Sequence, residues 1–248
     1  MKCLYFDCYA GFDPFMVSGA LIDMDNENYE IAKRVCGEEG FSVSNVTRRG
    51  MECSLLQIKY DGSREFVSKE KLISSVNAFN ISEESKNAIA SMIDKLADAT
   101  SVNPDDASFE LSEIMPQLMA SAVVLEIAHK YEVSTFYSTF VHTSSESGLF
   151  GSYTSPETSY LCGKYNIETE PLAVCEEILS PVGAALLAQL GVSYSSNVPS
   201  VIRCGYGAGK TDFAEAPNLL RAVLGDDGEC LDADFAQEEL FCDMTVEA

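Results

Sequence analysis

Three short runs hold the residue types that could bind or react. Residues 204–212, CGYGAGKTD, place glycines at 205, 207 and 209 just ahead of Lys210 and Asp212. A phosphate loop of the Walker type needs G-x-x-x-x-G-K-[ST] between a strand and a helix. Gly209, Lys210 and Thr211 satisfy its end, but the first glycine position is Cys204, and Pro217 falls where the phosphate-capping helix should run. A smaller nest remains, in which Gly205, Gly207 and Gly209 expose backbone N–H groups and Lys210 adds charge. The other reading is a tight chain crossing that needs positive φ. Ser180, directly before Pro181, has the chemistry of a helix N-cap, and the first-turn amides behind it are a second anion site or simply a capped end. Asp7-Cys8 closes an apolar run and enters a glycine turn, a common place for ligands in α/β proteins. A thiolate beside a carboxylate suits a soft divalent ion, and a buried cysteine is the alternative.

Bulk composition limits the partners. Asp and Glu number 39 against 16 Lys and Arg, a formal net charge of -23. Such a surface repels nucleic acid and anionic lipid and tolerates cations. No stretch looks like the ~20 apolar residues of a membrane span. The start, MKCLYFDCYAGFD, has one lysine and an early Asp7, unlike a secretory signal. A cytoplasmic, reducing setting is expected. The nine cysteines include no C-x-x-C pair, which argues against a zinc ribbon or a thioredoxin-like motif, and His129 and His142 are too few for a histidine-rich metal site.

The elements that would position these runs follow from periodicity and caps. CLYFD (3–7) reads as a buried strand and FMVSGALIDM as a helix, while 41–46 and 53–60 read as strands joined through the RRGM turn. Ser82 caps a helix with Ile89, Met92, Ile93 and Leu96 on one face. Asn103-Pro104 predicts another helix start, Pro116 a kink or restart, and 117–131 a helix apolar nearly all round. Residues 134–141 read as one strand, 143–158 as a loop or lid, 181–190 as a helix stopped by Gly191, and NLLRAVLG as a final strand. Strands and helices mix without strict alternation, so the expected fold is α+β, or loosely α/β, with helices packed on a mixed sheet. Residues 226–248 read as an acidic linker.

Several of these segments, in order, resemble the LarC nickel-insertion family. Asp7-Cys8-Tyr9-Ala10-Gly11, Met16 and Gly19-Ala20-Leu21-Ile22-Asp23 follow the family's opening pattern. Glu177-Ile178-Leu179-Ser180-Pro181-Val182-Gly183-Ala184-Ala185 follows its E-x-x-T-P-T-G-A-A run. Gly205 to Asp212, then Ala216-Pro217-Asn218-Leu219-Leu220-Arg221, follow its G-x-G-A-G-x-x-D and R-P-N-x-L-R runs, and Arg49-Gly50-Met51 fits its R-G turn. The resemblance covers residues 3 to 225, the family's N-terminal domain, and Phe241 to Glu247 look like the start of its second domain.

The resemblance implies a role in completing the nickel-pincer nucleotide cofactor of lactate racemase. It implies Asp7 and Cys8, with Glu110 more weakly, as metal residues. It also implies Ser180, Gly205, Gly207, Gly209, Lys210 and Asp212 as neighbours of a phosphate on a nucleotide-like substrate. Nickel would be handled, whereas CTP with Mg or Mn would enter only through a second domain. Partners would be that domain or a further copy of the chain. Departures point the other way: the family's H-F-H-E falls on Ser108-Phe109-Glu110-Leu111, its S-G-D on Asp13-Pro14-Phe15, and its H-G before Ser155-Pro156-Glu157-Thr158 is missing. A degenerate member acting as an interaction or scaffold module is the alternative.

Overall fold

The computed structural model describes residues 1–62, 64–100, 102–149, 151–214 and 216–226; of the expected acidic linker only Asp226 is among them, as the end of a strand, and 227–248, with the second-domain likeness at 241–247, lie outside them. In chain order, β1 (Lys2–Cys8) leads to α1 (Pro14–Met24), α2 (Asn28–Cys36) and the hairpin β2 (Phe41–Arg48) and β3 (Met51–Ile58). Next come β4 (Phe66–Ser68), α3 (Lys69–Val76), α4 (Glu83–Thr100), β5 (Ser108–Glu110), α5 (Leu111–Lys130), β6 (Thr135–Ser138), β7 (Val141–Ser144), β8 (Ser147–Gly148) and β9 (Gly151–Ser152). The chain continues with α6 (Pro156–Tyr165), β10 (Thr169–Leu172), α7 (Pro181–Leu190), β11 (Ser193–Tyr194), β12 (Ser200–Ala208) and β13 (Leu219–Asp226).

Seven strands form one mixed sheet in the order β11-β6-β1-β13-β12-β3-β2. β1 runs parallel to β6 and antiparallel to β13, and β12 runs parallel to β3. The fold is therefore the expected mixed sheet with packed helices. Alternation in β1 sends Leu4, Phe6 and Cys8 into the main core, where they meet Leu220, Ala222 and Leu224 of β13. α1 lies across β12, β13 and β3, and α5 packs behind it against α1, α2 and α4.

Local sequence explains the termini. Asp13 is extended and accepts the Phe15 N–H, with Pro14 opening α1. Ser180 caps α7 by accepting the Gly183 N–H, and Gly191 ends it in the left-handed region. Arg49 (φ 50) and Gly50 (φ 84) make the two-residue turn between β2 and β3.

Four expectations are corrected. Asn103 caps only the single 3-10 turn Pro104–Asp106, after which the chain enters β5. α5 runs on through Pro116 as one helix. Residues 134–141 split between sheets, because Thr139 turns the chain: its N–H donates to Phe6 O and its Oγ1 accepts the Cys8 N–H. The loop at 143–158 holds the end of β7, the β8–β9 hairpin and the first turn of α6. Also unlike the sequence reading, α5 is by length and composition long and apolar enough to cross a bilayer, with 72% of that window buried inside the fold.

Candidate functional site

A cavity of about 450 Å³ opens where α1, α7, β3 and the loop after β12 converge. That size suits a small organic ligand. Its polar wall comprises Asp13, Gln117, Glu176, Glu177, Ser180, Lys210 and Thr211, and its apolar wall includes Phe15, Met16, Leu55, Ile58 and Phe213. The starts of α1 and α7 sit side by side here because their entry turns touch. Phe12 N–H donates to Ile178 O at 3.0 Å, and Phe12 bridges to Leu179. Gly11 and Gly183 permit this approach: a Cβ on Gly11 would stand 2.0 Å from Ile178 O, and one on Gly183 2.5 Å from Phe12 O.

The two caps are joined. Ser180 Oγ donates to Asp13 Oδ2 at 3.3 Å, while Asp13 Oδ1 accepts the Phe15 N–H at 2.8 Å. Burial outweighs these hydrogen bonds and, with the nearby Glu177 charge, pushes the Asp13 carboxyl up to about 6. A carboxyl at that value exchanges protons near neutrality. A raised carboxyl favours the folded state below its unfolded value of 3.8, and that contribution is lost as pH rises through about 6. Asp13→Asn keeps the cap but not the charge. Its unfolding free energy relative to wild type is expected to rise by about 1.4 kcal/mol between pH 5 and pH 8, read by urea denaturation. A pH-independent difference would remove the cause assigned here.

Across the cavity, Lys210 is exposed, and among the described residues it makes no ion pair. The loop that carries it is fixed from both sides. Arg48 donates to Gly209 O at 2.9 Å, Gly209 N–H donates to Asn218 O at 2.9 Å, and Asn218 Nδ2 donates to Thr211 O at 2.7 Å. Asp212 turns outward to Arg48, 3.9 Å away.

Gly205 and Gly207 do something other than cradle an anion. They lie within β12, and neither they nor Gly209 has positive φ. A Cβ on Gly205 would meet Ala20 O at 2.2 Å, and one on Gly207 would meet Met16 O at 1.8 Å. Their lack of side chain lets α1 lie directly on the sheet, and Gly19 returns the favour, since a Cβ there would stand 2.7 Å from Ser54 O and 3.5 Å from Gly207 Cα. The nest and the positive-φ crossing are both replaced by close helix–strand contact.

Asp7 and Cys8 line a different hollow, of about 660 Å³, at the carboxyl ends of the parallel strands β1, β6 and β11, together with His142, Glu168, Glu170 and Tyr194. Asp7 and Cys8 thus stand in a hollow separate from that of Ser180 and Lys210. Asp7 stands opposite Arg221 in the β1–β13 register and pairs with it at 2.8 Å. Cys8 faces inward against Ser138 Oγ at 3.4 Å, and burial pushes its thiol up to about 12. A thiol so held is protonated and a poor metal ligand. Glu110 lies apart from both hollows, at the N-cap position of α5, where its side chain caps no N–H and accepts the Ser112 hydroxyl at 2.6 Å. Among the described residues, no three His, Cys, Asp or Glu side chains cluster as a metal set. Asp7, Cys8 and Glu110 do not fit a nickel site.

Sequence reasoning passed over Asp13, Arg48 and Arg221. Asp-Pro ahead of an apolar helix was the cap signal for Asp13. Arg48 ends β2 beside the hairpin turn, and Arg221 lies in the run that ends the motif.

The family model described as Nickel insertion protein matches residues 4–246. A relative from Geotalea daltonii, provisionally named a nickel insertion protein, is 28% identical over 94% of this chain and 63% of its own length. A similarly named relative from Methanothrix thermoacetophila is 26% identical over 91% of this chain and 60% of its own length. The pyridinium-3,5-bisthiocarboxylic acid mononucleotide nickel insertion protein of Geobacillus kaustophilus is 24% identical over 92% of this chain and 60% of its own length. No solved structure matches. The chain spans about three fifths of the length of these relatives. Motif segments from both ends of the chain thus line one cavity, and the match runs through nearly all of it: the chain belongs to the nickel insertion protein family.

Proposed function

We propose that this chain supplies the substrate-holding part of a nickel insertion protein, and that the cavity between α1 and α7 receives a pyridinium mononucleotide. The observation that carries the reading is the division of charge across this one hollow. Lys210 and Thr211 stand on one wall, and Asp13, Glu176 and Glu177 on the other. A purely anionic ligand is repelled by the second wall and a purely cationic one by the first. A molecule with a phosphate at one end and a cationic ring at the other suits both. The phosphate takes Lys210 and the Thr211 hydroxyl, and the ring lies on Phe15 and Phe213 with its charge toward the carboxylates. Nickel is cargo in this reading, and no step is assigned to it.

Calorimetry with nicotinate mononucleotide as probe tests the reading. Wild type is expected to bind, and Lys210→Ala to bind about tenfold more weakly, the loss of one charge-assisted hydrogen bond. Absence of heat with wild type, or equal affinity in the variant, would sink it. A second reading, a scaffold module without chemistry of its own, draws on the buried, protonated Cys8 and on Asp7 being tied to Arg221. It predicts no nucleotide binding.

A further inference from the structure

The two edges of the seven-stranded sheet are built differently. At one end β11 is cut to two residues, which leaves little to pair with. At the other end β2 runs for eight, Phe41–Arg48. Soluble proteins blunt a long edge with charge, proline or a bulge. From Phe41 to Thr47 β2 carries neither charge nor proline, and its register with β3 is unbroken. Ser42, Ser44, Asn45 and Thr47 are all exposed.

Which backbone groups face outward follows from the hairpin. Lys59 N–H donates to Gly40 O at 2.7 Å, and Arg48 pairs with Met51 across the two-residue turn. The even-numbered residues therefore aim their N–H and C=O at β3, and Phe41, Val43, Asn45 and Thr47 aim theirs away from the sheet. Among the described residues β2 has no strand partner but β3.

We propose that this edge is a self-association surface, on which β2 of a second copy pairs antiparallel with Ser44 opposite Ser44. In this register the outward residues meet one another. Phe41 faces the partner's Thr47 and Val43 faces the partner's Asn45, each a hydrogen-bonded pair. A one-residue slip would set outward groups against inward ones and leave them unmade. The same two-fold turns Glu39, exposed just before the strand, toward the partner's Arg49 in the hairpin turn, so opposite charges face at both ends. With a net charge of -23 on each copy, this is a place where the signs agree. Half-buried Val43, and Tyr29, which is 40% exposed beside Phe41, gain cover on the helix side.

Sedimentation velocity on the 248-residue chain tests this, at about 0.15 M salt to screen the net charge. Wild type is expected to be dimeric at tens of micromolar. Ser44→Lys and Ser44→Glu each place like charges face to face at the two-fold axis and are expected to be monomeric, with melting temperatures close to wild type. Mixed in equal amounts, they are expected to form a heterodimer. Asn45→Pro removes an outward N–H without touching the β3 ladder and is likewise expected to be monomeric. A monomeric wild type, charge variants or a proline variant that still dimerise, or a mixture that fails to pair would each overturn the proposal.

Discussion

Gly207→Ala is expected to destabilise the protein by more than about 3 kcal/mol, lowering the melting temperature by at least about 6 °C. The added methyl would stand 1.8 Å from Met16 O and 2.6 Å from Ala20 N, both backbone atoms of α1. A flexible side chain could yield, but a helix backbone cannot move locally. α1 must lift from β12, and it also covers β13 and β3. The loss therefore spreads over the centre of the core, a large share of the ~5–15 kcal/mol that holds a typical domain together. Gly163→Ala is the control. It sits within α6 with nothing inside 4 Å of the new carbon, and is expected to be neutral or stabilising by up to about 1 kcal/mol. Thermal melts of the two variants decide the matter, and a Gly207→Ala melt within a degree or two of wild type would refute the packing role.

Glu126→Ala is expected to cost about 2–3 kcal/mol. This carboxylate, 7% exposed on α5, supports the start of α4 from outside that helix. It accepts Ser82 N–H at 3.0 Å, Ser82 Oγ at 2.7 Å and Ser85 Oγ at 2.6 Å, and it also pairs with Arg34. Removing it strands the Ser82 N–H and leaves the Ser82 and Ser85 hydroxyls to each other, while the half-exposed Arg34 turns to water. Burial alone would raise the Glu126 carboxyl, but the Ser85 and Ser82 hydrogen bonds and the Arg34 charge outweigh it and hold the group below 4.5. A depressed carboxyl contributes its stability above the unfolded value and loses it as pH falls through the lower, folded one. Acid titration of wild type should show that loss, and Glu126→Gln, already without the charge, should show less of it. Identical acid limbs would contradict the assignment.

Elements governed by local chemistry were legible in the sequence. Ser180-Pro181 and Gly191 bracketed α7, and the short apolar run at 3–7 gave β1. Legibility ended where a tertiary contact overrode the local signal. Asn103-Pro104 has helix-start chemistry, yet β5 must pair with β4 only a few residues later, which leaves room for one turn. Thr139 ends β6 because its hydroxyl and N–H are claimed by β1, which no window around 134–141 records. The same limit applied to the site. Lys210, Gly209 and Ser180 do share a hollow, and Asp7 does not, because alternation in β1 turns it toward Arg221. Gly205 and Gly207 looked like ligand glycines since the sequence does not show that α1 lies on them.

β1 and β13 lie side by side at the centre of the sheet, with Lys2 opposite Asp226 and the Met1 amine 2.8 Å from the Asp226 carboxylate. A ribosome therefore releases the first strand long before its neighbour exists. Until residues 219–226 emerge, the nascent chain carries an apolar ribbon with an open flank, the condition under which chaperones are engaged. Refolding in vitro should be slow for the same reason, since so distant a closure must precede most of the gain.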